Sequence, residues 1–134
     1  MASDPDAVAR LLRTRVRDAP IDLDVAGSSM KGVIATGSTV VIEAAEAPRR
    51  GEIWAFVDDD GRIMVHRIRE IEGDTVVGRG TGNPLDDDPV DRDRLVGRVS
   101  SATQGGRVRH FGSFDRIRSR IEFASRKRLR WLRR

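Results

Sequence analysis

The sequence contains no cysteine and only two histidines, His66 and His110. That excludes a disulfide framework, a cysteine nucleophile and a zinc site built on thiolates. Two imidazoles are too few for a histidine-based metal cluster, so neither a metal nor a cofactor is expected. No run of about twenty apolar residues occurs, which leaves no segment able to span a bilayer as a helix. The opening MASDPDAVAR is acidic and polar, without the basic start and apolar stretch of a secretory signal. The expected location is cytoplasmic. A length of 134 residues fits one domain. With 38% hydrophobic and 34% charged residues its core must be lean, while thirteen glycines and five prolines imply many turns and a β-rich fold.

Charge is unevenly spread. Residues 1–104 carry 14 Lys/Arg and 19 Asp/Glu, a net of −5, whereas residues 105–134 carry 11 Lys/Arg and 2 Asp/Glu, a net of +9. The overall +4 therefore describes the end of the chain, not its body, and is no argument for nucleic-acid binding by the whole protein.

Residues 5–18 place Val8, Leu11, Leu12 and Val16 at helical spacing, behind Asp4 as N-cap and Pro5 at the first helical position, with Pro20 ending the helix. Strands are expected at 21–27, 39–44, 52–58, 62–71, 75–80 and 94–102, the last closing the body. Asp58–Gly61 supplies a hairpin turn, and residues 80–89 a polar loop. Strands at this spacing predict a mainly β, sandwich- or barrel-like body at 21–104 after an N-terminal helical region at 1–20. From 105 to 134, Phe114, Ile117, Ile121, Ala124, Leu129 and Leu132 form an apolar stripe among arginines, the pattern of a basic amphipathic helix.

A serine hydroxyl needs a base to become a nucleophile, and near neutral pH that means histidine or a desolvated lysine. The candidates are Lys31, Lys127, His66 and His110. Lys31 is only two residues from Ser29, too close in an ordinary turn to aim back at it. Lys127 and His110 lie in or beside the basic segment. His66 sits mid-strand, on the side of Met64 and Ile68, where an imidazole can be held in apolar surroundings.

Six segments then form an ordered series: Ser28-Ser29-Met30, Gly37 before the strand Thr39–Ile42, Gly51-Glu52-Ile53, Val65-His66-Arg67-Ile68, Gly80-Thr81-Gly82-Asn83, and Gly97-Arg98-Val99. The series resembles the signal peptidase I family and its relatives, the self-cleaving SOS-type repressors, over residues 25–100. The resemblance implies a single β domain of signal-peptidase/repressor type that acts as a serine endopeptidase on a peptide or precursor protein. It makes Ser29, before Met30, the nucleophile. The base falls on His66, since the archaeal and endoplasmic-reticulum enzymes carry a His-Arg pair where the others carry lysine. Asp87, with Asp86 as the alternative, becomes the residue that orients the base. The oxyanion donors would be the backbone N–H of Ser29 and the hydroxyl of Ser28, with Met30 lining the substrate cleft. The chain departs from the family pattern at Gly32, where proline is usual, and at Ser38, Glu52 and Thr81, where aspartates are usual. These positions are read as structural or charge-placing. The membrane anchors of true signal peptidases are missing, so the likeness is to short, soluble maturation proteases.

Two other classes compete. An inactive relative would serve as a peptide-binding module, and a repressor fragment would need a DNA-reading unit that twenty-odd N-terminal residues cannot supply. For the basic segment three roles stay open: docking on an anionic membrane surface through residues 114–134, packing on the body, or binding nucleic acid, the last being the least expected.

Overall fold

The computed structural model describes residues 4–27 and 30–111. Helix α1 spans Pro5–Asp18. Its bounds follow from its ends: the Asp4 side chain accepts the backbone N–H of Asp6 at 3.0 Å, Pro5 sits where no donor is needed, and Ala19 turns to extended backbone ahead of Pro20. The buried face is Ala9 and Val16, with Val8 and Leu12 beside them. Leu11 was expected on that face but is 62% exposed, because at 100° per residue it falls well to one side of the Ala9–Leu12–Val16 line. Arg13 fixes the helix to the body by donating to the carbonyls of Asp93 (2.7 Å) and Leu95 (2.9 Å). Arg94 binds Asp6 of the helix (2.7 Å) and Asp59 of a turn (3.0 Å); the hydrogen bond to Asp6 does most to hold its guanidinium above the ordinary arginine range. Among the described residues no helix is long and apolar enough to cross a membrane.

The remainder is a curled antiparallel sheet, in chain order β1 (Ile21–Asp24), β2 (Thr39–Glu43), β3 (Ile53–Val57), β4 (Ile63–Glu72), β5 (Thr75–Arg79), β6 (Val90–Asp91), β7 (Leu95–Gln104) and β8 (Arg107–His110). The spatial order is β1-β2-β7-β3-β4-β5-β6, with β8 on β7. Strand β7 is the hub. Its first half pairs with β3 (Ala55 opposite Gly97), its second half with β8 (Ser101 opposite His110), and β2 runs along its other edge (Val40 opposite Ala102). Gly97 permits this crossing: a Cβ there would lie 2.5 Å from the Glu43 carbonyl oxygen and 2.8 Å from Ile42 Cγ2.

Both faces of the central strands are covered, so β3 is buried at every position. Ile53, Ala55 and Val57 enter one core with Val40, Ile42, Val99 and helix α1. Trp54 and Phe56 enter a second core with Ile68, Val76 and Leu95.

The mainly β expectation holds; the differences are an added two-residue strand, β6, and the following. The strand placed at 94–102 runs to Gln104 and is not the last, because Gly105 and Gly106, with φ of 58° and 82°, turn the chain back into β8. Residues 107–110 are thus hydrogen-bonded to β7 rather than part of a helix starting at 105. The strand placed at 21–27 stops at Asp24. The rest of the amphipathic helix expected at 105–134, residues 112–134, falls outside the described residues.

Candidate active site

The site is built where β4 leaves one core for the edge of the second. Register places His66 opposite Trp54 and Met64 opposite Phe56, so His66 shares its side of the sheet with Trp54, Phe56, Met64 and Ile68. The imidazole is only 2% exposed and stands edge-on to Phe56, ring centroids 5.9 Å apart. A polar ring so enclosed needs a partner. It has one in Asp87: the His66 Nδ1–H donates to Asp87 Oδ2 at 2.5 Å. The carboxylate keeps 22% of its side-chain surface exposed, so it joins the buried ring to solvent.

Asp87 reaches His66 from the loop of residues 80–89 between β5 and β6. Its backbone N–H donates to the Gly78 carbonyl at 2.8 Å, extending the β5 edge by one bond. Gly78 lies opposite Ile68, and a Cβ on it would sit 3.2 Å from Asp87 Oδ2 and 3.4 Å from both His66 Cβ and the Arg67 carbonyl. The absence of a side chain at position 78 is what lets the carboxylate lie against the imidazole. Gly78 was not singled out from sequence, although an isolated glycine inside the strand pattern TVVGR is the usual sign of such an approach.

Asp86, the alternative orienter, does not touch His66. It turns outward, accepts from Arg69 Nε at 3.2 Å and lies 3.7 Å from Arg79 Nη1. Arg67, next to His66, points to the other neighbour of β4 and donates to the Gly51 carbonyl at 2.6 Å. Of the positions where the family aspartates are usual, Glu52 is buried and accepts from Arg49 N (2.9 Å) and Trp54 Nε1 (3.0 Å), a structural contact. Ser38 closes the connection between β1 and β2 by accepting from Val25 N at 2.8 Å. Thr81 donates its hydroxyl to the Lys31 carbonyl at 3.0 Å.

Ser28 and Ser29 lie outside the described residues. Their flanks are pinned. Before them, the Gly27 carbonyl accepts the Thr36 hydroxyl at 3.0 Å. After them, the Met30 carbonyl caps a helical turn by accepting from Val33 (2.9 Å) and Ile34 (2.8 Å). Met30 itself is 2% exposed and lines an apolar cleft of about 190 Å³ with Leu23, Val25, Ile34, Ile63 and Val65. This cleft separates the end of β1 from the start of β4. Strand β5 pairs with β4 only from Arg67 onward, so among the described residues no strand pairs with Ile63–His66 on that side.

No curated protein matches the chain. A family model described as Peptidase S24-like matches residues 12–78, from inside α1 to the middle of β5. The match is half the chain; it takes in both Ser29 and His66 and ends nine residues short of Asp87. By that match the chain belongs to the Peptidase S24-like family.

Proposed function

We propose that this family member is a serine endopeptidase in which Ser29 is the nucleophile, His66 its general base and Asp87 the group that orients the base. The observation that carries the reading is a buried imidazole whose Nδ1–H is held by a carboxylate, on the strand beside the cleft lined by Met30, the residue after Ser29. A proton fixed on Nδ1 leaves Nε2 as an acceptor, which is the tautomer a general base requires. His66 then takes the Ser29 hydroxyl proton as the oxygen attacks a peptide carbonyl. The Ser29 backbone N–H, with the Ser28 hydroxyl, binds the developing oxyanion. His66 passes its proton to the leaving amine, and water attacks the acyl-enzyme by the reverse steps. A histidine here follows the signal-peptidase side of the resemblance rather than the lysine of the repressors.

The substrate is a peptide or precursor protein. An extended segment laid beside Ile63–His66 would gain backbone hydrogen bonds from that strand and set an apolar side chain into the Leu23–Val65 cleft. Under the same reading the catalytic body is the sheet, and residues 114–134 bring it to an anionic membrane surface.

Cleavage of a mixed peptide library, read by mass spectrometry with and without anionic vesicles, tests the reading. Wild type should cut, and Ser29→Ala and His66→Ala should not. Equal cutting by all three removes the dyad. Cutting that ignores vesicles removes the membrane role of the basic segment.

A further inference from the structure

The loop that delivers Asp87 is held from outside the site at three places. Its start is tied to the turn at residues 30–33: the Thr81 hydroxyl donates to the carbonyl of Lys31, two residues after Ser29 in sequence, at 3.0 Å. Its middle is tied to the two strands beside His66: Asp86 takes a hydrogen bond from Arg69 on β4 (3.2 Å) and faces Arg79 on β5 (3.7 Å). Its end is bonded to the sheet through Asp87 N and the Gly78 carbonyl (2.8 Å). Asp86 and Asp87 are neighbours that face opposite ways, one gripped by arginines and the other gripping the imidazole. We propose that residues 80–88 form a positioning strut, in which Asp86 acts through Asp87 on His66 and Thr81 acts on the turn that follows Ser29 in the chain. This rests on the peptidase reading for its consequence in catalysis but not for its geometry.

Arg69, Arg79 and Asp86 are all substantially exposed, so their pairing is screened by salt and each exposed pair is worth little. The strut therefore adjusts the site rather than holding the fold. Asp86 and Thr81 touch no reacting atom; they are positioning residues.

The two grips can be separated with the full-length chain, ¹⁵N-labelled, by following the ring N–H resonance of His66. A carboxylate-bonded Nδ1–H gives a sharp low-field signal. Asp86→Asn should broaden or lose it, lower kcat about fivefold with KM unchanged, and leave the melting temperature near wild type; Asp86→Glu should restore both signal and rate. Thr81→Val should lower kcat while the His66 signal stays, with rescue by Thr81→Ser. In the wild type, raising salt from dilute buffer to about 1 M should weaken the His66 signal, because the Debye length shrinks to about 3 Å. That measurement decides the matter if a variant fails to fold. A His66 signal unmoved both by Asp86→Asn and by salt overturns the strut. So does a loss of signal that Asp86→Glu does not rescue. A signal that responds as stated in a protein without any Ser29-dependent cleavage keeps the strut and removes the peptidase reading.

Discussion

The two faces of the β3–β4 ladder are both apolar, one aliphatic and the other with aromatic residues and a methionine, and they are completed in different ways. On one, Ile53, Ala55, Val57, Ile63 and Val65 pack with helix α1 into a hydrophobic core. On the other, Trp54, Phe56, Met64 and Ile68 make an apolar wall into which His66 is set, with buried Glu52 bonded to Trp54 at one end. The first face is closed by helix α1 together with Met30 and Ile34 from the β1–β2 connection and Phe111 after β8. The second is completed by a carboxylate brought in from a loop, and that loop is held by ion pairs and a threonine hydroxyl rather than by burial. Both faces bury apolar side chains, and on the proposed reading only the second also carries the chemistry. Substitutions in the helix-side core should therefore move the melting temperature and leave the rate of the folded protein alone, whereas substitutions of the loop groups around His66 should lower the rate with little change in melting temperature.

The largest effect is expected at Asp87. In Asp87→Asn the side-chain amide donates where the carboxylate accepted, which drives the ring proton to Nε2 and removes the base. The loss in kcat should approach the ~10⁴-fold typical of an orienting carboxylate in a serine triad, at a melting temperature close to wild type. Ile53→Ala should do the opposite. Ile53 is fully buried in the helix-side core, and truncation of such a residue costs about 2–5 kcal/mol of folding stability. Urea unfolding should show that loss, and kcat measured where the variant is fully folded should be unchanged.

The difference between the faces also separates what the sequence made legible from what it did not. Helix α1 has the bounds expected because both its ends are local: Asp4, Pro5 and Pro20 mark them within a few residues. Strands β2 to β5 were legible from their β-branched runs and turn residues. Strand β8 was not, since RVRH offers a single apolar residue for alternation; only the Gly105-Gly106 turn announced it. Strand β6 has two residues, too few for any period. In the site, His66 and Asp87 stand next to each other although 21 residues separate them, a contact that the family resemblance suggested and periodicity did not. Arg69 and Arg79 were invisible as a pair because they meet Asp86 only through the β4–β5 register and the path of the loop. The same holds for Thr81, whose partner lies fifty residues away.

Gly78 is the joint between the two halves of the comparison, a position on the sheet that serves the loop. In Gly78→Ala the new methyl would start 3.2 Å from Asp87 Oδ2, and the carboxylate, on a loop, yields more readily than the Arg67 backbone. A shift of this kind at a catalytic group costs up to about 10²-fold. Activity should fall by that order with little change in melting temperature, and the low-field His66 signal should weaken. A large drop in melting temperature with an intact signal would instead make the glycine a packing residue.

The smallest effects compare two large apolar side chains that, among the described residues, stand in solvent, one on the helix and one on the loop. Leu11, 62% exposed, lies on the outer side of α1; Leu85, 76% exposed, lies two residues from Asp87. Neither is held by the core, so Leu11→Ser and Leu85→Ser should each change stability by less than about 0.5 kcal/mol. They should part in kinetics. A substrate lying across the site meets the 80–88 loop, and covering an exposed leucine is worth at most about 3 kcal/mol; a partial cover predicts a KM several-fold higher for Leu85→Ser at unchanged kcat. Leu11→Ser should leave KM and kcat alone, since nothing joins that side of the helix to the cleft. Equal KM values for both variants would confine the substrate to the β1–β4 cleft and leave the loop with only its hold on Asp87.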